Sequence, residues 1–165
     1  QAAFRQLLQA FSYPGRVVEV EGGLLSLVAT LVDASVTLAD PDALLSADDH
    51  RRLGAVKAHT QKAQFILKHG RTAPAFTPAL GTLESPEHGA TLIVEVVSLS
   101  QGDALNLTGP GIESTHTLRV AGLDPAWWPL REQWNGAFPM GVELFLVAGN
   151  QVVAIPRTTR IQGAN

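Results

Sequence analysis

Arg157-Thr158-Thr159-Arg160 sets two guanidinium groups around two hydroxyls, directly after an apolar run that stops at Pro156. That donor set suits the oxygens of a phosphate or phosphonate. Gly109-Pro110-Gly111-Ile112-Glu113 lies between two extended segments, where a glycine-rich turn can aim backbone N–H groups at an anion. Each has a plainer reading: a tight turn, and a strand end whose arginines reach a partner protein. Motifs this short match often by chance, so the plainer readings are favoured. Glu143 is a lone carboxylate inside the apolar run Val142 to Ala148. Buried, it must be paired or carry a raised pKa. It could serve as an acid or base; the favoured reading is an anchor for an arginine.

Other chemistries find less support. There is no Walker A loop, no G-x-G-x-x-G, no G-x-S-x-G and no H-E-x-x-H. With no cysteine, the chain supplies no disulfide, thiolate nucleophile or cysteine ligand for zinc or an iron–sulfur cluster. None of His50, His59, His69, His88 and His116 pairs with another at i, i+4. Asp48-Asp49-His50 point in different directions at a helix start, so a cap explains them better than a metal. Glu87-His88 could meet His116 in space. Lys57, Lys62 and Lys68 are the only lysines. Nothing around them resembles the Schiff-base lysine that pyridoxal phosphate requires, although Lys68, at a strand end, stays open. No metal and no cofactor are expected.

These groups sit in a chain of 165 residues and 17.5 kDa, long enough for one domain (1–165) with a full hydrophobic core. Charged residues make up 16% and hydrophobic ones 45%, with a mean hydropathy of +0.12. That balance argues against disorder and leaves few charges to solvate the surface, so a sizeable partner interface is plausible. A net charge of −3 and a pI of about 5.9 speak against nucleic-acid binding by bulk electrostatics. No apolar stretch is long enough to span a membrane. No export signal is visible, and a cytoplasmic location is the default. The chain begins at Gln1 and not Met, which leaves room for residues before it.

The positioning elements follow from periodicity. Phe4, Leu7, Leu8 and Phe11 form one stripe of a helix ended by Tyr13-Pro14-Gly15. Val17 to Val20 is extended, Leu24 to Leu31 a buried helix and Ser35 to Leu38 a short strand. Ser46 and Asp49 have capping-box spacing, opening a helix expected to reach about His59 with Leu53 and Val56 inward. Gln64 to Lys68 is a strand. Thr72 to Gly89, with three prolines, is irregular, with a helical turn near Pro78 to Leu83. Thr91 to Leu99 is a strand, Gly102-Asp103 a turn, Ala104 to Thr108 its return, and Thr115 to Val120 extended. Asp124-Pro125 starts a helix carrying Trp127, Trp128 and Trp134, tryptophans suited to packing or to an interface. Val142 to Ala148 reads as a strand buried on both faces. Gly149-Asn150 suits a Gly-first hairpin turn into Gln151 to Ile155. The expectation is a single α/β domain, a mixed β-sheet flanked by helices.

Five segments in order carry a family resemblance: Phe4-Arg5 with Leu7-Leu8 and Pro14-Gly15; Gly81-Thr82 with Pro86-Glu87 and Gly89-Ala90-Thr91-Leu92; Leu107-Thr108-Gly109-Pro110-Gly111-Ile112; Phe138-Pro139-Met140-Gly141-Val142-Glu143-Leu144; and Ala154-Ile155-Pro156-Arg157-Thr158-Thr159. Together they resemble the PhnH family, the H subunits of the bacterial carbon–phosphorus lyase core complex, from Phe4 to Arg160. Met140, Glu143 and the spacer lengths between motifs differ without breaking the pattern. The resemblance implies organophosphonate breakdown beside G, I and J subunits. It implies a requirement in coupling a phosphonate to the ribose of a nucleoside triphosphate, with C–P cleavage carried by the J subunit. It also implies a fold that is a reduced relative of the pyridoxal-phosphate transferase large domain without the cofactor, and a homodimer when alone. It brings no catalytic set.

Three functions therefore stand as expectations. One is a complex subunit without activity of its own. Another is a stand-alone enzyme or binding protein for a phosphorylated or phosphonate molecule, with Arg157, Thr158 and Arg160 on the anion and Glu143 or His116 as acid–base. The third is a general binding or dimerising α/β scaffold. In the ligand- or partner-binding set stand Gly109, Gly111, Glu113, Glu143, Arg157, Thr158, Thr159 and Arg160.

Overall fold

A computed structural model describes residues 2–162. The chain runs α1 (Ala2–Ser12), β1 (Val18–Glu19), α2 (Gly23–Leu31), β2 (Thr37–Ala39), α3 (Ala47–Leu53), β3 (Val56–Lys57), β4 (Phe65–His69) and β5 (Thr91–Glu95). It continues with β6 (Ser98–Thr108), β7 (His116–Ala121), α4 (Trp127–Trp134), β8 (Glu143–Ala148), β9 (Gln151–Ile155) and β10 (Arg160–Gln162). Seven strands form one sheet in the order β1-β9-β8-β5-β4-β2-β3. Only β9 runs against the other six. A second, antiparallel sheet has the order β10-β6-β7.

Alternating side chains of the central strands feed two cores, as a sheet covered on both sides requires. Leu67, Ile93, Phe145 and Val147 pack with α1, α2 and the 44–55 segment. Ile66, Leu92, Val94, Leu144 and Leu146 pack against the small sheet and against Trp127 and Trp134 of α4. The two tryptophan rings meet edge to face, 6.4 Å apart. The result is a single α/β domain of three layers with a mixed sheet.

Several boundaries differ from the expected ones. The stripe on α1 buries Leu7, joined by Ala10, and sets the Phe11 ring edge to face on Phe145 at 5.1 Å; Phe4, Leu8 and the rest of Phe11 lie partly in solvent. Helix α3 begins as expected, with Ser46 Oγ accepting from the Asp49 N–H at 3.1 Å. It stops at Leu53 because Gly54 adopts the left-handed conformation that closes helices. The next residues become β3, pairing with β2, and Val56 points outward at 57% exposure. The expected helical turn near Pro78 is instead a 3-10 turn at Pro86–His88. Gly102-Asp103 does not reverse the chain. It lies in a register shift inside one long strand, β6, a bulge absorbing the extra residues. Thr91 to Leu99 is divided at Val96-Val97, where the chain passes from one sheet to the other.

Candidate functional site

Glu143 opens β8, and Arg157 follows the end of β9, the strand hydrogen-bonded to it. This neighbourhood brings the two together. Glu143 Oε1 accepts from the Arg157 backbone N–H at 2.8 Å, and Oε2 accepts from Nε at 2.6 Å with Nη2 also 2.6 Å away. Arg157 Nη1 donates to the carbonyls of Pro86 and Pro139, both at 2.9 Å. A guanidinium has five N–H groups, so this set leaves a single Nη2 hydrogen uncommitted. Glu143 is thus an anchor for an arginine, and the arginine is one assigned from sequence to an anion. The pair ties β8 and β9 to the 86–89 and 138–141 loops. Gly89 makes room for it: a Cβ there would overlap the Gly141 carbonyl and stand 3.3 Å from Arg157 Nη2.

Arg131, on α4, is the residue that sequence reasoning passed over. It is buried, and its Nη2 donates to the carbonyls of Pro156 at 2.7 Å and Thr159 at 3.1 Å. Burial pushes its pKa down to about 10, against the opposing pull of the Glu143 charge, so it remains cationic at neutral pH. Its Nε and the Thr159 hydroxyl are both buried without a protein partner. The 156–159 turn, closed by the Thr159 N–H on the Pro156 carbonyl at 3.0 Å, is therefore clamped from one side by Arg131 and held at Arg157 from the other. No sequence motif marks Arg131; its place on the inner face of α4, opposite the end of β9, could be read only from the fold.

The glycine-rich loop reaches the same turn. Arg160 pairs with Thr108 in the small sheet, which carries Gly109 beside Thr158. A Cβ on Gly109, whose φ is 132°, would stand 2.9 Å from the Thr158 carbonyl oxygen. Gly111 faces elsewhere, toward the Ser12 carbonyl and Pro14. Glu113 and Arg160 are exposed, Thr158 is half-buried and Thr159 is buried. The structure thus gathers Gly109, Glu143, Arg157, Thr158 and Thr159 around one turn. The cleft of about 340 Å³ past the ends of β2 and β3 is lined by other residues.

Several other ionisable groups have local partners. His116 Nε2 lies 2.9 Å from the Gly15 carbonyl, to which it donates. Asp48 pairs with Arg51 on the surface of α3. Among the described residues no group of three or more metal-binding side chains gathers. Lys68, buried near the end of β4, lies 2.9 Å from Asp42 Oδ2 and 3.1 Å from Thr72 Oγ1. Asp42 also accepts from the His69 backbone N–H at 3.0 Å. Burial raises the Asp42 pKa, but the Lys68 hydrogen bond, the His69 N–H and the nearby charges outweigh it and hold the carboxyl below its ordinary value.

Comparison with known proteins sets this architecture in a family. Residues 1–162 match the family described as "Bacterial phosphonate metabolism protein (PhnH)". The chain is 50% identical over 165 residues to the "Putative C-P lyase subunit protein HtxG" of Stutzerimonas stutzeri, covering 98% of this chain and 85% of that protein. It is 28% identical over 179 residues to the "Alpha-D-ribose 1-methylphosphonate 5-triphosphate synthase subunit PhnH" of Rhizobium meliloti (strain 1021), covering 98% of this chain and 90% of that one. With a match spanning nearly every residue and the motifs in their order, the chain belongs to the PhnH family of bacterial phosphonate metabolism proteins.

Proposed function

We propose that this protein is a subunit of a carbon–phosphorus lyase core complex, acting with G, I and J subunits when a phosphonate is joined to the ribose of a nucleoside triphosphate. The observation that carries this reading is the 50% identity, over 98% of the chain, to a protein named as a C–P lyase subunit. The second relative, named as a subunit of a ribose methylphosphonate triphosphate synthase, supports the coupling step. The C–P bond-breaking chemistry lies in another subunit, in keeping with a chain that has no cysteine. Alone, the protein forms a homodimer, and it works in the cytoplasm. The partly exposed Phe4, Leu8, Phe11 and Tyr13 are consistent with association. We further read the fold as a reduced pyridoxal-phosphate transferase large domain; the seven-stranded, largely parallel sheet supports that reading.

The stand-alone enzyme gains little from the geometry. Its anion ligand Arg157 and its acid–base candidate Glu143 neutralise each other, and four of the five guanidinium hydrogens are committed. Co-expression with the G, I and J subunits and capture through a tag on one of them tests the proposal. The expected result is stoichiometric recovery of this chain. A chain that elutes alone while the other three assemble would refute it.

A further inference from the structure

From β2 the chain turns into α3 on one face of the large sheet; from its parallel neighbour β3 it crosses to β4 over the opposite face, where Ala58 and Ala63 pack. Where connections from neighbouring parallel strands diverge in this way, a crevice opens beyond the carboxyl ends of the strands, and ligands of open α/β folds settle in it. This sheet has a cleft of about 340 Å³ there, past the ends of β2 and β3. That volume lies within the range of small-molecule sites, roughly 300–1,000 Å³. An apolar floor of Leu38, Ala39 and Ala58 is rimmed by His50, Lys57 and His59.

The wall favours an anion. Its one carboxylate, Asp40, is only 4% exposed at the side chain, and both its oxygens are in use. Oδ1 accepts from the Leu44 N–H at 2.8 Å; Oδ2 accepts from the Leu45 N–H at 3.0 Å and from His50 Nε2 at 2.9 Å. By holding Nε2, Asp40 leaves Nδ1 as the His50 nitrogen available to a ligand. That nitrogen can accept from a protonated oxygen, or donate when the ring is charged. Lys57 and His59 are exposed, and among the described residues neither lies within 4.0 Å of a carboxylate. Two exposed donor side chains, a ring nitrogen of a third residue fixed by a fully hydrogen-bonded aspartate, and a shallow apolar floor make a receptor for a small tetrahedral oxyanion on an organic group.

We propose that this cleft binds a phosphoryl or phosphonyl group, with Lys57 and His59 as its clasp and His50, oriented by Asp40, as the third contact. The choice of phosphorus oxyanion rests on the phosphonate reading above; the location rests on the cleft itself. The test is an amide NMR titration of the full chain with methylphosphonate, inorganic phosphate and ATP in separate arms. Shifts should concentrate in residues 38–60. In the Lys57→Gln/His59→Gln double variant, affinity should fall at least about tenfold, equivalent to ~1.4 kcal/mol, while amides outside the cleft keep their positions. Response to methylphosphonate and phosphate would identify a small phosphorus oxyanion as sufficient; response to ATP alone would identify the nucleotide's phosphates as the ligand. Absence of shifts in residues 38–60 with all three, or titrations unchanged in the double variant, would overturn the proposal. Capture of the double variant by the G, I and J subunits separates the two readings. Assembly retained with the titration lost supports the cleft, whereas failure of the unaltered chain to assemble defeats the complex reading and leaves the titration to decide the cleft.

Discussion

Replacing Glu143 by Gln keeps the shape of the side chain and removes its charge. A fully buried ion pair broken on one side costs about 3–5 kcal/mol, because the surviving charge is left uncompensated. Here the Arg157 and Glu143 side chains retain 13% and 23% exposure, and the amide oxygen of Gln still accepts one N–H. Water access and that remaining acceptor lower the expected loss to about 2 kcal/mol. At this chain length the melting temperature should fall by roughly 4–8 °C. Arg157→Ala should cost more, about 3 kcal/mol, since the carbonyls of Pro86 and Pro139 lose their donor as well. Urea unfolding of the two single variants and the double variant completes a cycle. A coupling of about 2 kcal/mol is expected, so the double variant should be little worse than Arg157→Ala alone. If Glu143→Gln unfolds within about 0.5 kcal/mol of the parent, or if the two losses simply add, the anchor does not hold the turn together.

Asp42→Asn should flatten the acid end of the stability curve. A carboxyl held below its ordinary 3.8 stabilises the fold fully above that pH and loses the contribution as pH falls through the lower folded value; urea midpoints measured below pH 4 read the difference. Ser46→Ala removes the acceptor of the Asp49 N–H and should cost about 1 kcal/mol in chemical denaturation. Trp127→Phe deletes the indole N–H that donates to the Thr72 carbonyl at 3.2 Å and thins the contact with Trp134. A loss of about 1–2 kcal/mol by the same measurement is expected.

Signals confined to a few neighbouring residues were legible in the sequence. Ser46 and Asp49 announce a cap, Gly149-Asn150 a hairpin, and the apolar run from Val142 a central strand, and each stands where its local chemistry places it. Features that depend on distant partners were not. Val56-Lys57 continues a helical pattern by composition, but the open edge of β2 recruits it as a strand after Gly54 ends α3. Gly102-Asp103 has turn chemistry, yet β7 lies alongside and converts the turn into a bulge. β10 is three residues with little hydrophobic signal, and its partner β6 lies some fifty residues earlier. At the candidate site, Glu143 and Arg157 were each conspicuous alone; that they meet depends on the β8–β9 register. Asp42 and Lys68 drew no attention as a pair because only the adjacency of β2 and β4 brings them together.

Both rims of the large sheet are two-residue strands, Val18–Glu19 and Val56–Lys57. A foreign strand laid against either rim would find backbone for one or two hydrogen bonds before the chain turned away. Growth of the large sheet by strand addition, the common route from a sheet to a fibril, therefore has almost no template. A molecule that meets the large sheet has to be recognised through side chains on the faces and ends of the layers, where shape and charge can tell one visitor from another.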